Sequence, residues 1–150
     1  MALGSASAEL ELHVYSDDTF SSLHTINPTG HARFHELVAE TKIERVPVRT
    51  LDDLWPELGG GAERRVLLKT DTQGHDLSVL AGSTTPLLST YAVITEAAFQ
   101  PIYAGAPLFA ETAEWLNARG FVVSGLFPIS HRAEDLALIE LDAFFTRRVV

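Results

Sequence analysis

The stretch that most constrains this chain is residues 66–82, VLLKTDTQGHDLSVLAG. Val66, Leu67 and Leu68 form a continuous apolar run, the pattern of an interior strand in a parallel sheet covered on both faces. The run stops at Lys69-Thr70-Asp71, so polar groups arrive where the strand ends. Gln73-Gly74 supplies a turn. His75-Asp76 then opens a helix with Leu77, Leu80 and Ala81 on one stripe. In open α/β sheets, ligands bind beyond the carboxyl ends of the strands. Asp71 therefore sits where an acid serves chemistry better than packing.

Composition removes several alternatives. The 150 residues suit one domain, with 46% hydrophobic and 21% charged content, enough for a real core. Twenty acids against 11 bases give a net charge of -9, and the basic residues cluster no further than the pairs Arg64-Arg65 and Arg147-Arg148. A nucleic-acid partner needs a concentrated basic face, so none is expected. With no cysteine, thiolate metal sites, disulfides and a cysteine nucleophile are excluded. No run approaches the roughly 18 apolar residues of a membrane span, so no membrane partner is expected. The opening MALGSASAELEL lacks the basic-then-apolar order of a secretory signal. A cytoplasmic location is the default expectation.

Around the central stretch, helices and strands alternate. Residues 9–15 alternate polar and apolar, with Leu10, Leu12 and Val14 on one face of a half-buried strand. Residues 20–30 read as loop, broken by Asn27-Pro28 and Gly30, and residues 33–41 as a short helix. Residues 43–50 alternate again, and Pro47 marks them as an edge strand because proline cannot donate to a ladder. Thr50 caps a helix with Asp53 at the capping-box position. Gly59-Gly60-Gly61 is a flexible link. A phosphate loop there is disfavoured, since no strand precedes it and no helix start follows. Residues 84–89, with Pro86, close the central unit. Residues 91–95 form a second apolar strand ending at Glu96, followed by the long loop AAFQPIYAGAP. Residues 107–119 form an amphipathic helix that buries Leu108, Phe109, Trp115 and Leu116 and stops at Gly120. Residues 121–129 and 136–141 then pair as an antiparallel hairpin around 131–135. The alternation predicts an α/β fold with a mostly parallel, doubly wound sheet plus a C-terminal antiparallel hairpin.

Asp71 and Glu96 occupy equivalent positions at adjacent strand tips. Neighbouring strands lie about 4.8 Å apart, so both acids can face one cleft. There, burial and mutual repulsion raise one of the two carboxyls toward the range of a general base. The plain alternative for Asp71 is a helix cap or an ion pair with Lys69. His75 suits a base near neutral pH, or is simply a surface histidine at a helix start. Asp76 stabilises the positive helix end. Tyr103 lies in the long loop after Glu96, as a substrate wall or as packing. His31 and His35 are spaced i, i+4, but no HExxH pattern or third ligand accompanies them, so no metal is expected. There is neither a GxSxG elbow nor a Walker lysine motif.

These residues resemble the FkbM-type methyltransferase family. The likeness is carried by Val48-Arg49-Thr50-Leu51-Asp52-Asp53-Leu54, by Leu68-Lys69-Thr70-Asp71-Thr72-Gln73-Gly74-His75-Asp76 with Val79-Leu80-Ala81-Gly82, and by Glu96. It continues in the block from Phe99 to Phe109, in Trp115-Leu116 and Gly120-Phe121, and in Asp142-Ala143-Phe144-Phe145. The resemblance covers nearly the whole chain. It implies a Rossmann-like, S-adenosylmethionine-dependent methyltransferase acting on a hydroxyl of a sugar or other natural product. Asp71, His75 and Glu96 become the expected catalytic residues, and Gln73, Gly74, Asp76 and Tyr103 the expected substrate contacts. Lys69 and Asp71 become the expected cofactor contacts. Where this chain has Asp76 the family often has glutamate.

The family's opening strand and glycine-rich loop, roughly (D/E)xGxxxG, find no counterpart here. The resemblance therefore implies an N-terminally truncated domain that starts near the third strand, at Ala2-Leu3-Gly4-Ser5, without the cofactor-binding strands. The strand at Val66 then becomes a sheet edge. Dimerisation, a complementing N-terminal half, or marginal stability follows as an expectation. Two other functions remain open from the residues: a non-catalytic remnant that binds a partner through that edge, and an acid-lined metal- or sugar-binding domain. The retained acids at the strand tips favour the enzyme.

Overall fold

The Val66 segment does become a strand, and it ends a four-stranded sheet. The computed structural model describes residues 1–61 and 63–148. Two sheets form. The first joins β1 (Ala2–Leu3), β2 (Ala8–Tyr15) and β3 (Glu40–Arg49) in the order β1-β3-β2. The second joins β4 (Val66–Thr70), β5 (Thr90–Ala98), β6 (Phe121–His131) and β7 (Leu138–Arg147) in the order β4-β5-β7-β6. The helices are α1 (Pro28–Phe34), α2 (Leu51–Leu54), α3 (Asp76–Ala81), α4 (Thr84–Ser89) and α5 (Phe109–Asn117).

The α/β class and the C-terminal hairpin are present, but the sheet is mixed rather than mostly parallel. Only β4 and β5 run parallel in the larger sheet, while β7 is antiparallel to both β5 and β6. The hairpin places β7 between β5 and β6, so the antiparallel strands make up half the sheet instead of decorating one side. Double winding is also absent. Leu80 of α3, Leu87 of α4 and Leu116 of α5 pack on one face, against Val93, Ala97, Leu141, Ala143 and Phe145. Full burial of each large apolar side chain contributes about 1.5–3 kcal/mol, so this face carries most of the sheet's stability. The other face is open. Leu67 is 50% exposed and Phe127 56%, which corrects the reading of residues 66–68 as covered on both faces.

Local chemistry explains the helix boundaries. Thr50 caps α2 by accepting the Asp53 N–H at 3.0 Å. Gly120 follows α5 with φ 82°, the left-handed stop expected of it. Two boundaries differ from the expectation. Of the helix assigned to residues 33–41 only Arg33 and Phe34 are helical: α1 runs Pro28–Phe34, because Asn27 accepts the Gly30 N–H at 2.9 Å and Pro28 fills the first helical position, and β3 already begins at Glu40. Residues 84–89 coil into α4, whose first-turn N–H groups at Thr84 and Thr85 are satisfied by the Asp52 carboxylate. Pro47 does not mark an edge. β3 is the middle strand, but β1 covers only Val48 and Arg49 and so leaves the Pro47 position with β2 alone.

A second core sits at the carboxyl end of the parallel pair. It gathers Tyr15, Ile26, Val38, Ile102, Tyr103 and Ile139, so the long loop after β5 is packed rather than free. Among the described residues, no helix is long and apolar enough to cross a membrane.

Candidate functional site

The turn after β4 is built from two successive left-handed residues, Gln73 with φ 51° and Gly74 with φ 85°. Gly74 is needed there for two reasons. Its φ favours glycine, and a Cβ would lie 3.0 Å from Ala106 and 3.1 Å from the Tyr103 ring. The turn is tied down from both sides. The Thr72 N–H donates to the Asp76 carboxylate at 3.2 Å, the Ser22 hydroxyl donates to the Gln73 carbonyl at 2.7 Å, and Tyr103 Oη donates to Gln73 Oε1 at 2.9 Å. Tyr103 is 3% exposed. Of the two readings, packing is the one its burial supports: Tyr103 props the turn from beneath.

Glu96 stands one residue past the last β4–β5 pair, Thr70 with Thr95. Those two threonines share a buried hydroxyl hydrogen bond of 2.8 Å, which pins the strand tips together. Glu96 lines a cavity of about 20 Å³ with Gly74, Asp76, Tyr103, Thr112 and Glu140. That volume holds about one water molecule. Burial pushes the Glu96 carboxyl up to about 8, and the charges of Glu140, Asp71, Asp76 and Asp142 reinforce the shift in that order. Burial also raises Asp76 and Glu140, opposed at Asp76 by hydrogen bonds from Thr70 and Thr72 and at Glu140 by the Ser130 hydroxyl. Asp76 is 5% exposed. It fastens the turn to α3 and also adds charge to the cavity.

Asp71 takes a different place. It is exposed and ion-paired with Lys69 at 2.9 Å, on the open edge of the sheet beside the cavity. His75 faces away from the acids. Its Nδ1 lies 3.0 Å from His24 Nε2, and its Nε2 is buried without a partner near Gly4. Burial lowers both imidazoles below the usual histidine range, and their proximity lowers His75 further. The structure thus brings Gln73, Gly74, Asp76, Glu96 and Tyr103 together, puts Asp71 with Lys69 at the rim, and sends His75 to the opposite side of the turn.

Sequence reading missed Glu140 and His24. Glu140 alternates with Ile139 and Leu141 in β7, so its outward face was legible. Its neighbour was not, because that depends on β7 inserting beside β5. His24 lies in a segment that has no periodicity. Among the described residues, no group of three metal-ligating side chains converges.

The family implies S-adenosylmethionine, and the residues present do not enclose it. The acid cavity admits about one water, and Lys69 and Asp71 stand on an open edge. The family comparison agrees with the motif-level resemblance up to residue 123, and the block at residues 142–145 lies outside the match. A family model described as the methyltransferase FkbM domain matches residues 1–123. No match is found among curated proteins or among solved structures. The matched stretch includes the β4 turn, Glu96 and Tyr103, and on it the chain belongs to the FkbM methyltransferase family.

Proposed function

We propose that this chain forms the acceptor side of an S-adenosylmethionine-dependent methyltransferase that methylates a hydroxyl group on a sugar or other natural product. One observation carries the reading: in a member of this family, Glu96 stands at the carboxyl end of the parallel pair with its carboxyl raised to about 8 and a second acid, Glu140, beside it. S-adenosylmethionine supplies an electrophilic methyl group when bound. A hydroxyl attacking it must lose a proton, and positioning plus proton removal are the catalytic tasks left to the protein. At pH 7 burial keeps Glu96 largely protonated, and it becomes the stronger acceptor as pH rises. Glu140 offers the second carboxyl to which the released proton can pass. Asp71, exposed and paired with Lys69, is the residue to which the cofactor side is assigned.

The remaining cofactor contacts are assigned to a segment laid along the free edge of β4, from a partner chain or a second copy of this one. Calorimetric titration with S-adenosylmethionine, on samples whose oligomeric state is set by light scattering, tests the reading. Micromolar binding by an assembly, with methyl transfer abolished in Asp71→Asn, is the expected result. An assembly that binds and transfers methyl equally well with Asp71→Asn overturns the assigned roles. Absence of binding in every assembly overturns the function.

A further inference from the structure

A second recess lies beside the acid cavity, between α1 and the β6–β7 hairpin. It has a volume of about 410 Å³ and is lined by Thr29, Arg33, Phe34, Ser130, His131 and Glu134, among others. Pockets for small molecules run from about 300 to 1,000 Å³, whereas the acid cavity holds about one water. The recess also lies at the functional end of the sheet. Ser130 pairs in register with Glu140, and Glu140 pairs with Ala98, the last residue of β5.

Its walls are fixed. The Asn27 N–H donates to the Ile102 carbonyl at 2.8 Å, and Asn27 Nδ2 donates to the Pro101 carbonyl at 2.9 Å, so α1 is fastened to the loop after β5. Arg33 Nη2 reaches Gln100 Oε1 at 3.4 Å, while Gln100 Nε2 donates to the Leu138 carbonyl at 3.0 Å. The recess and the acid cavity share one contact. Ser130 lines the recess and donates its hydroxyl hydrogen bond to Glu140 Oε2 at 3.1 Å, and Glu140 lines the cavity with Glu96.

The lining chemistry selects among ligands. Arg33 and Glu134 offset each other, so the recess carries no net charge beyond the histidine. An anion attracted to Arg33 meets the Glu134 and Glu140 carboxylates. A purely apolar ligand leaves Arg33, Ser130 and Glu134 desolvated and unpaired, at a cost of several kcal/mol. A neutral molecule bearing several hydroxyls satisfies donors and acceptors alike and can lay an apolar ring face toward Phe34. Resting on the hydroxyl-methylation reading above, we propose that this recess is the acceptor subsite. It binds a neutral polyhydroxylated molecule and directs one hydroxyl past Ser130 to the Glu140–Glu96 pair. Ser130, His131 and Glu134 all lie beyond the stretch that matches the family, residues 1–123.

The test uses the full chain, 15N-labelled, titrated with the methyl glycosides of glucose, galactose, mannose and rhamnose. At least one glycoside is expected to shift the amide signals of Arg33, Ser130 and His131 in a saturable way. Arg33→Ala should weaken that binding about tenfold, the scale of one charge-assisted hydrogen bond. Thr29→Trp, on the exposed side of α1, should block it while leaving the remaining spectrum intact. Absence of saturable shifts at these residues with all four glycosides overturns the subsite. Methyl transfer to a glycoside that persists in Thr29→Trp overturns the subsite but leaves the methyltransferase reading standing. Saturable glycoside binding at Arg33 and Ser130 in an assembly that never transfers methyl does the reverse.

Discussion

Glu96 of β5 and Glu140 of β7 stand on one face of the sheet, diagonal to each other across an antiparallel ladder. Glu96 pairs with Asp142 and Ala98 pairs with Glu140. Diagonal neighbours of this kind lie within reach of long side chains. Both line the same cavity, and the charge of Glu140 is the largest electrostatic contribution to the rise at Glu96 after burial itself.

This relationship fixes a pH dependence of stability. The folded Glu96 carboxyl titrates at about 8, whereas its ordinary value is 4.5. Between those limits the folded state keeps a proton that the unfolded state has lost, so unfolding releases it and stability falls as pH rises toward 8. Glu96→Gln keeps the size and removes the titration. Melting temperature measured from pH 5 to 8.5 should fall with pH in the natural chain and fall less steeply in the variant. Parallel curves would show that Glu96 is solvated and titrates like an ordinary carboxylate. In an active assembly, methyl transfer should climb through about pH 8 as Glu96 ionises, and Glu96→Gln should remove that limb.

The histidine pair predicts the opposite slope on the acid side. His24 Nε2 and His75 Nδ1 share one hydrogen bond at 3.0 Å, which requires a neutral ring on one side. Burial depresses both. Below about pH 6.5 the unfolded chain binds protons that the folded pair resists, so stability is lost as pH falls from there. His75→Asn should reduce the acid-side loss, read as the difference between the two melting curves below pH 6.5. An unchanged difference across that range would mean that the pair does not hold the turn.

Much of this was legible in the residues, and the gaps have physical causes. Residues 66–76 read correctly as strand, turn and helix start because the apolar run and the Gln73-Gly74 turn are local, but the apolar residues that α3 buries are Val79 and Leu80, while Ala81 of the expected stripe is exposed. Gly120 and Thr50 carry their caps in their own side-chain chemistry. The order β4-β5-β7-β6 was not legible, since strand insertion is a long-range choice that no local pattern encodes. Glu140 as a neighbour of Glu96 was hidden for that reason, as was the pairing of His75 with His24, 51 positions away in sequence. The helix at 28–34 was missed on the opposite error: Asn27-Pro28 was taken as a break, when the same two residues make a cap and a first helical position.

The Gly74 turn should tolerate no side chain. Gly74→Ala places a Cβ at a left-handed φ and 3.0–3.1 Å from Ala106 and the Tyr103 ring, closer than ordinary van der Waals contact, with strain of roughly 1–3 kcal/mol. The expected outcome is a lower midpoint in urea with an unchanged slope. A midpoint equal to that of the natural chain would mean that the turn adopts another conformation.

The free edge of β4 yields the last prediction. β4 has one neighbour, β5, and Leu67 stands half exposed on the open face of the sheet beside Lys69. An edge strand presents unpaired N–H and C=O groups to any extended segment, and charged side chains are what natural edges use to prevent that. Leu67→Lys adds such a charge where little apolar surface is buried, so the folded chain should lose no more than about 0.5 kcal/mol. Association through β4 should weaken markedly. Sedimentation of both chains over a concentration series reads this directly. The natural chain is expected to self-associate and the variant to shift toward monomer with an unchanged urea midpoint. A natural chain that stays monomeric throughout would exclude self-association through this edge.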